Sequence, residues 1–164
     1  MKIAIISDTH DNITNLIKAL TLIKQNKVSA LIHCGDVLSI ETLKIIIENF
    51  NQKIFLSLGN GDDEKLFNKF LKENNNQKLS IFDEFGKIVL NNLKIGLTHF
   101  PDIAKKLVEN NNFDFVFYGH THRPWEEKIN QTIILNPGNL AGIFYKPTFA
   151  ILDTKNLKRE LIIL

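Results

Sequence analysis

Cysteine is almost missing from this chain: Cys34 is the only one in 164 residues. With no partner for an intramolecular disulfide, it implies neither an oxidising compartment nor a cysteine-rich metal cluster. Long apolar runs are also missing. The opening MKIAIISDTHD has an apolar stretch too short for a signal-peptide core, and no later run reaches the length of a membrane span. A soluble protein of the reducing cytoplasm, with no membrane partner, is the expectation. Charge of one sign does not accumulate either. The 20 basic and 18 acidic residues leave a net charge of +2, and the lysines are scattered, so no nucleic-acid partner is indicated. No internal repeat is evident, and oligomeric state is not encoded in any motif.

What is present is enough apolar sequence to build one core. At 44% hydrophobic residues, the chain is expected to fold as a single domain over residues 1–164. Two asparagine clusters, 74–76 and 110–112, read as solvated loops. The first half alternates buried-strand and helix patterns. KIAIIS (2–7), SALIHCGD (29–36) and 53–58 are short apolar runs. Between the first two, Ile13, Leu16, Ile17, Leu20 and Ile23 share a helical face, and residues 42–50 form a second helix with Leu43, Ile46, Ile47 and Phe50 inward. A third helix pattern covers 62–71. This order predicts parallel strands joined by helical crossovers.

From residue 80 onward short strands dominate, at 80–82, 87–90, 93–99, 113–118, 124–129, 132–136, 148–153 and 159–164, with one helix near 102–109. Asn91-Asn92 is a hairpin turn signal, because asparagine tolerates positive φ. This half reads as mostly antiparallel. The whole is therefore expected to be an α/β (α+β) protein with two sheets packed face to face and helices outside.

Polar residues gather where strands end. Asp8 and His10 follow the first strand as D-T-H, Asp36 follows the second as H-C-G-D, and Asn60 follows the third as G-N-G-D. His99 ends its own strand as T-H, and His120 and His122 end FVFYGHTH, where Gly119 is expected to turn the backbone sharply. Carboxyl ends of parallel strands converge on one crevice, so seven donors point to one place. Each motif alone is weak. Four of the five histidines fall in them, however, whereas structural histidines would scatter.

Carboxylate and amide oxygens joined by imidazole nitrogens, without thiolate, suit Mn²⁺, Fe²⁺, Co²⁺, Ni²⁺ or Zn²⁺. Seven donors exceed one tetrahedral shell; two ions sharing one ligand would each receive four.

These motifs resemble the signature of the calcineurin-like metallophosphoesterases: D-x-H, G-D, G-N-H-[DE], H and G-H-x-H, in that order. Here they read Asp8-Thr9-His10, Gly35-Asp36, Gly59-Asn60-Gly61-Asp62, His99 and Gly119-His120-Thr121-His122. Small size, the Gly-Asn-x-Asp variant and a late NPGN (136–139) resemble the compact prokaryotic phosphodiesterase branch. The resemblance implies a four-layer αββα sandwich with two mixed sheets. It implies two divalent ions, with Mn²⁺ the expected occupant ahead of Ni²⁺, Zn²⁺, Fe²⁺ or Co²⁺. Asp8, His10, Asp36 and His122 would hold one ion, and Asp36, Asn60, His99 and His120 the other, with Asp36 bridging. Asp36, Asn60 and His99 would thereby be catalytic as well as metal-binding. The implied reaction is hydrolysis of a small phosphodiester by in-line attack of a hydroxide bridging the ions.

One position departs from the family pattern. The usual G-N-H histidine is replaced by Gly61, so no imidazole helps the leaving group, and diesters with acidic leaving groups are expected over monoesters. Asp62 is a candidate substitute acid, although an aspartate before a helix is more often an N-cap. A phosphomonoesterase is one alternative. A non-catalytic interaction scaffold is another, since the retromer complex contains a subunit that resembles this family with an impaired metal site. A nucleotide-binding doubly wound domain lacks its glycine-rich loop, D-T-H-D-N standing in that place.

Several neighbours carry plainer readings. His33 is either a hydrogen-bonded support for a ligand or a satisfied core histidine. Cys34 is a small apolar residue of a buried strand. Arg123 could reach a phosphate oxygen but reads more simply as a solvated charge. Asn12 is a substrate contact or an N-cap. NPGNLAG (136–142) is a tight turn, and Trp125 and the phenylalanines are expected in the core or an interface rather than in a base-stacking platform, because no basic residues interleave with them.

Overall fold

A computed structural model describes residues 1–74, 76–110 and 113–164; Asn75, Asn111 and Asn112 of the two asparagine clusters lie outside the described residues. The elements are β1 (Lys2–Ile6), α1 (Ile13–Gln25), β2 (Ala30–His33), α2 (Ile40–Asn49), β3 (Lys53–Ser57), α3 (Glu64–Asn74), β4 (Leu79–Phe82), β5 (Phe85–Leu90) and β6 (Leu93–Thr98). They continue as α4 (Pro101–Asn110), β7 (Phe115–Phe117), β8 (Trp125–Ile129), β9 (Thr132–Asn136), β10 (Thr148–Asp153) and β11 (Lys158–Ile163).

Six strands form one sheet in the order β11-β10-β1-β2-β3-β4, and five form the other in the order β5-β6-β7-β9-β8. β1 to β4 run parallel, flanked by antiparallel β10 and β11. The second half is less antiparallel than its sequence reads. Its hairpins β5/β6 and β8/β9 are antiparallel, but β6, β7 and β9 are mutually parallel in the sheet interior. A parallel pair needs a crossover of a dozen or more residues, and α4 lies in the β6–β7 connection. The Asn91-Asn92 turn has φ of 50° and 66°, the paired positive values of a type I′ hairpin.

Alternation along the strands sorts side chains between layers. Ile3 and Ile5 of β1 and Ile32 of β2 point between the sheets, where they meet Ile95, Leu97, Phe115, Phe117 and Leu135. Ala4, Ile6 and Leu31 point the other way, against Leu16, Leu20 and Ile23 of α1, Leu43 and Ile46 of α2, and Phe67 of α3. On the far side α4 lays Ala104, Leu107 and Val108 over Val116 and Ile134. The result is the αββα order. Ile13 and Ile17 are 36% and 40% exposed, because the buried stripe of α1 runs through Leu16, Ala19, Leu20 and Ile23 and leaves them on its flank. No helix among the described residues is long and apolar enough to cross a membrane.

The interlayer core should dominate stability. Phe117→Ala, which empties a site at 0% exposure, is expected to cost about 3–5 kcal/mol in urea unfolding. Leu161→Ala, at 48% exposure on the edge strand β11, should cost under about 1 kcal/mol.

Candidate metal centre

All seven predicted donors meet at the carboxyl ends of the parallel strands of both sheets. The loops that carry them are strained. Asp8, His10, Asp36, His120 and His122 have φ of 52°, 44°, 56°, 70° and 59°, in the left-handed region that L-residues avoid. Backbone bonds between neighbouring loops hold them there: Asp8 N–H donates to Gly35 O (2.9 Å), His10 N–H to Asp36 O (3.1 Å) and Gly119 N–H to His99 O (3.1 Å). Gly119 is not among the positive-φ glycines; the chain does turn tightly there, Thr121 N–H closing on Gly119 O at 2.8 Å, but the left-handed residue of the turn is His120. A Cβ at Gly119 would lie 2.0 Å from Ser7 Oγ and 2.7 Å from the Cys34 carbonyl, and the position permits close approach of the two sheets.

The donor atoms face one another with few protons to share. His99 Nδ1 lies 2.7 Å from Cys34 O, and a carbonyl only accepts, so Nδ1 carries the proton. In the neutral ring Nε2 is then bare, yet it sits 3.1 Å from Asn60 Oδ1, 3.1 Å from His120 Nδ1 and 3.5 Å from Asp36 Oδ2. On the other side, His10 Nε2 is 3.2 Å from His122 Nε2 and 3.5 Å from the same Asp36 Oδ2. His122 Nε2 is 3.2 Å from Asp8 Oδ1, a buried oxygen with no hydrogen bond. Asp36 Oδ2 thus borders both halves, while Asp36 Oδ1 accepts from Gly61 N–H at 2.8 Å.

Ligand atoms of Asp8, His10 and His122 lie within 4.8 Å of one another, as do those of Asp8, Asp36 and His99. This donor set fits divalent cations. A cation would answer the unpaired Asp8 oxygen and the facing imidazole lone pairs together. Asp8, Asp36, His99 and His122 are buried, His10 is half-buried, and Asn60 and His120 are exposed, so the cluster opens to solvent on one side.

Charge shifts follow from this packing. Burial pushes the Asp8 carboxyl up, but His10 and His122 outweigh it and hold it well below the usual carboxylate range. His122 is raised, chiefly by the Asp8 carboxylate. Burial pushes the Cys34 thiol up, in keeping with an inert apolar side chain.

The flanking residues resolve into supports. His33 makes no hydrogen bond to a donor residue: Nδ1 accepts from Gly35 N–H (3.2 Å), leaving Nε2 to donate to Thr9 Oγ1 (2.8 Å). It is a satisfied core histidine that pins the D-T-H and G-D loops together. Asp62 is not the N-cap of α3; Asp63 Oδ1 caps it by accepting from Leu66 N–H at 3.0 Å. Asp62 instead accepts from Asp36 N–H (2.9 Å), Gly59 N–H (2.8 Å) and Leu38 N–H (2.8 Å), and burial raises its carboxyl. Asn12 caps α1 through Asn15 N–H at 3.1 Å and donates to Ala141 O at 2.9 Å. The Arg123 guanidinium lies over the Trp125 ring, 5.2 Å from its centroid. Trp125 is 45% exposed, so it is not a core residue; it stands on the edge strand β8.

Sequence reasoning missed Asn136 and Asn139. Asn136 Nδ2 donates to Gly119 O (2.8 Å) and Thr121 Oγ1 (3.0 Å), and Asn139 Nδ2 donates to His122 O (3.0 Å). Their only sequence signal is the pair of asparagines bracketing Pro-Gly in NPGN, which is more than a turn because it buckles the G-H-T-H loop.

The model of the calcineurin-like phosphoesterase superfamily domain matches residues 1–157. The chain belongs to that superfamily. It is 34% identical over 168 residues to Phosphodiesterase MJ0936 of Methanocaldococcus jannaschii, covering 100% of this chain and 99% of that protein. A solved structure of an archaeal phosphodiesterase superposes with a TM-score of 0.90 at 34% identity over 100% of both chains. YfcE, a phosphoesterase of E. coli, superposes with a TM-score of 0.70 at 21% identity over 99% of both, which is likeness of fold.

The buried imidazole of His33 generates a stability prediction. Burial lowers its pKa from 6.5 to about 3, so the neutral ring's contribution is whole above pH 6.5 and is lost as the pH falls toward 3. In chelator-treated phosphoesterase, His33→Gln should flatten the fall of the urea midpoint across that window. The difference should reach about 2 kcal/mol at pH 5.

Proposed function

We propose that this phosphoesterase is a divalent-metal-dependent phosphodiesterase of the reducing cytoplasm, acting on a small phosphodiester with Mn²⁺ as its expected ion. The observation that carries this reading is the position of Asp36 Oδ2, 3.5 Å from the Nε2 atoms of both His10 and His99. One carboxylate oxygen shared by two donor groups is what a dinuclear centre requires. The full-length relative named as a phosphodiesterase supports the same reading.

Asp8, His10, Asp36 and His122 would hold one ion, and Asp36, Asn60, His99 and His120 the other. Two such ions supply Lewis acidity toward the phosphate oxygens and lower the pKa of a water for in-line attack. The chain's own residues position and neutralise. Gly61 N–H occupies Asp36 Oδ1, which leaves Oδ2 aimed between the two halves. The Cys34 carbonyl fixes the His99 ring through Nδ1, and the His120 amide holds Asp8 Oδ2 at 3.1 Å. No side chain acts as nucleophile: Cys34 is buried with a raised thiol pKa, and Ser7 Oγ donates to Cys34 O at 3.1 Å. Both Asp62 oxygens are engaged by amides, which disfavours it as the acid. With no imidazole at Gly61, the leaving oxygen departs with little proton help, and acidic leaving groups and diesters are preferred.

A metal-by-substrate matrix tests the reading. Metal-stripped protein reloaded singly with Mn²⁺, Ni²⁺, Zn²⁺, Fe²⁺ or Co²⁺ should hydrolyse bis-p-nitrophenyl phosphate faster than p-nitrophenyl phosphate. Asp36→Asn should lower kcat at least about 100-fold and release metal from both positions. Metal bound without hydrolysis of either ester would favour the interaction scaffold, and equal or faster monoester cleavage would overturn the role given to Gly61.

Gly61 itself offers a reciprocal test. A Cβ there would lie 2.4 Å from Leu38 Cδ2, the far end of a partly buried side chain that can shift, so Gly61→His alone should cost under about 1 kcal/mol of stability. Combined with Leu38→Ala, it should fold and raise the monoester-to-diester rate ratio, read as kcat/KM for the two p-nitrophenyl esters.

A further inference from the structure

Phe144 is 88% exposed, well beyond the other exposed large hydrophobic residues described, and its φ is 64°. A phenyl ring left in water and a bulky residue in the left-handed region are both costly, and the fold gains no core packing from either. The ring has a definite neighbour. Its centroid stands 5.8 Å from that of His122, one of the donor residues, with the planes tilted by 46°.

The separation is fixed by one buried side chain. Asn139, at 0% exposure, accepts at Oδ1 from Gly142 N–H (2.6 Å) and Ile143 N–H (3.0 Å), while its Nδ2 donates to His122 O (3.0 Å). Tyr145 N–H closes the turn on Ile143 O at 2.8 Å, and Thr148 N–H returns the chain to Asn139 O at 2.9 Å. The loop that presents the ring and the loop that presents the histidine therefore share a single anchor. A turn between strands would need neither the aromatic ring nor this link.

An exposed aromatic face beside a phosphate-binding cluster recognises a planar ring attached close to the phosphate. Sugar or glycerol substituents gain little from such a face, whereas a nucleobase stacks on it. We propose that Phe144 is a specificity-determining residue whose ring stacks on the nucleobase of a nucleoside-bearing phosphodiester. The proposal rests on the phosphodiesterase reading above and names its substrate class.

Adenosine 5′-monophosphate and ribose 5-phosphate differ only in the base, and their p-nitrophenyl diesters, which share one acidic leaving group, form the matching substrate pair. Calorimetry on the Zn²⁺-loaded protein should show the adenosine compound binding roughly tenfold tighter than the ribose compound. The kcat/KM ratio of the two p-nitrophenyl diesters should favour adenosine similarly. Phe144→Ala and Phe144→Leu should bring both ratios close to one, and Phe144→Trp should retain them. Equal binding of the two monophosphates by the unaltered protein, or a preference that survives Phe144→Ala, overturns the proposal. Loss of self-association in Phe144→Ala with the preference intact overturns it in favour of a contact between copies. If the unaltered protein hydrolyses neither diester, the phosphodiesterase reading falls and takes this one with it; hydrolysis of both without preference removes the Phe144 role alone.

Discussion

Asp8 is fully buried, and only its Oδ2 has a hydrogen-bond donor of good geometry, the His120 amide at 3.1 Å. A carboxylate taken out of water costs several kcal/mol unless charge and hydrogen bonds answer it. Here the answer is incomplete, because Oδ1 has no hydrogen bond, facing only the His122 imidazole at 3.2 Å, and a second buried carboxylate, Asp36, stands close by. The imidazoles of His10, His99 and His122 crowd the same space, so the surplus of lone pairs is a property of the folded chain rather than of one residue. Five left-handed backbone positions add strain in the same place. Such an arrangement persists only where the surrounding frame over-determines it.

That frame is built from the two sheets together. β1, β2 and β3 end in step, with Ile6 beside His33 and His33 beside Leu56, while Leu97 and Phe117 end in step across β6 and β7. The interlayer core holds these two sets of strand ends against each other, and glycine makes the contact close enough. A Cβ at Gly35 would lie 2.7 Å from His99 Nδ1, and one at Gly59 would lie 2.6 Å from the Asp36 amide nitrogen. Asp62 ties the second and third strand-end loops together, and Asn136 and Asn139 tie the G-H-T-H loop to the last turn. Polar supports behind a cluster of this kind hold its geometry against charge repulsion.

That these seven side chains would converge was legible in the sequence because the information is local: residue type, order, and position after an apolar run. Layering was legible for the same reason, since alternation in β1 and the stripe of α1 repeat within a few residues. Strand direction was not. Nothing in the apolar runs of β6, β7 and β9 records that they lie parallel, because direction depends on which connection crosses a sheet face. The supports were hidden because their partners are remote, such as Asp62 with Leu38 or Asn139 with His122. Asp62 and Asp63 are neighbours with opposite roles, and only the loop geometry says which one caps. Trp125 and Phe144 misread or escape a composition argument, since a large ring is placed in the core by default and these two are not.

The missing imidazole at position 61 belongs to the same frame. Leu38 has φ of 78°, its amide is held by Asp62, and its side chain fills the space next to Gly61 where a Cβ would start. Glycine therefore stands in a local packing solution, and its amide is spent on Asp36 Oδ1. Any residue but proline would offer that amide, so the hydrogen bond does not by itself select glycine here.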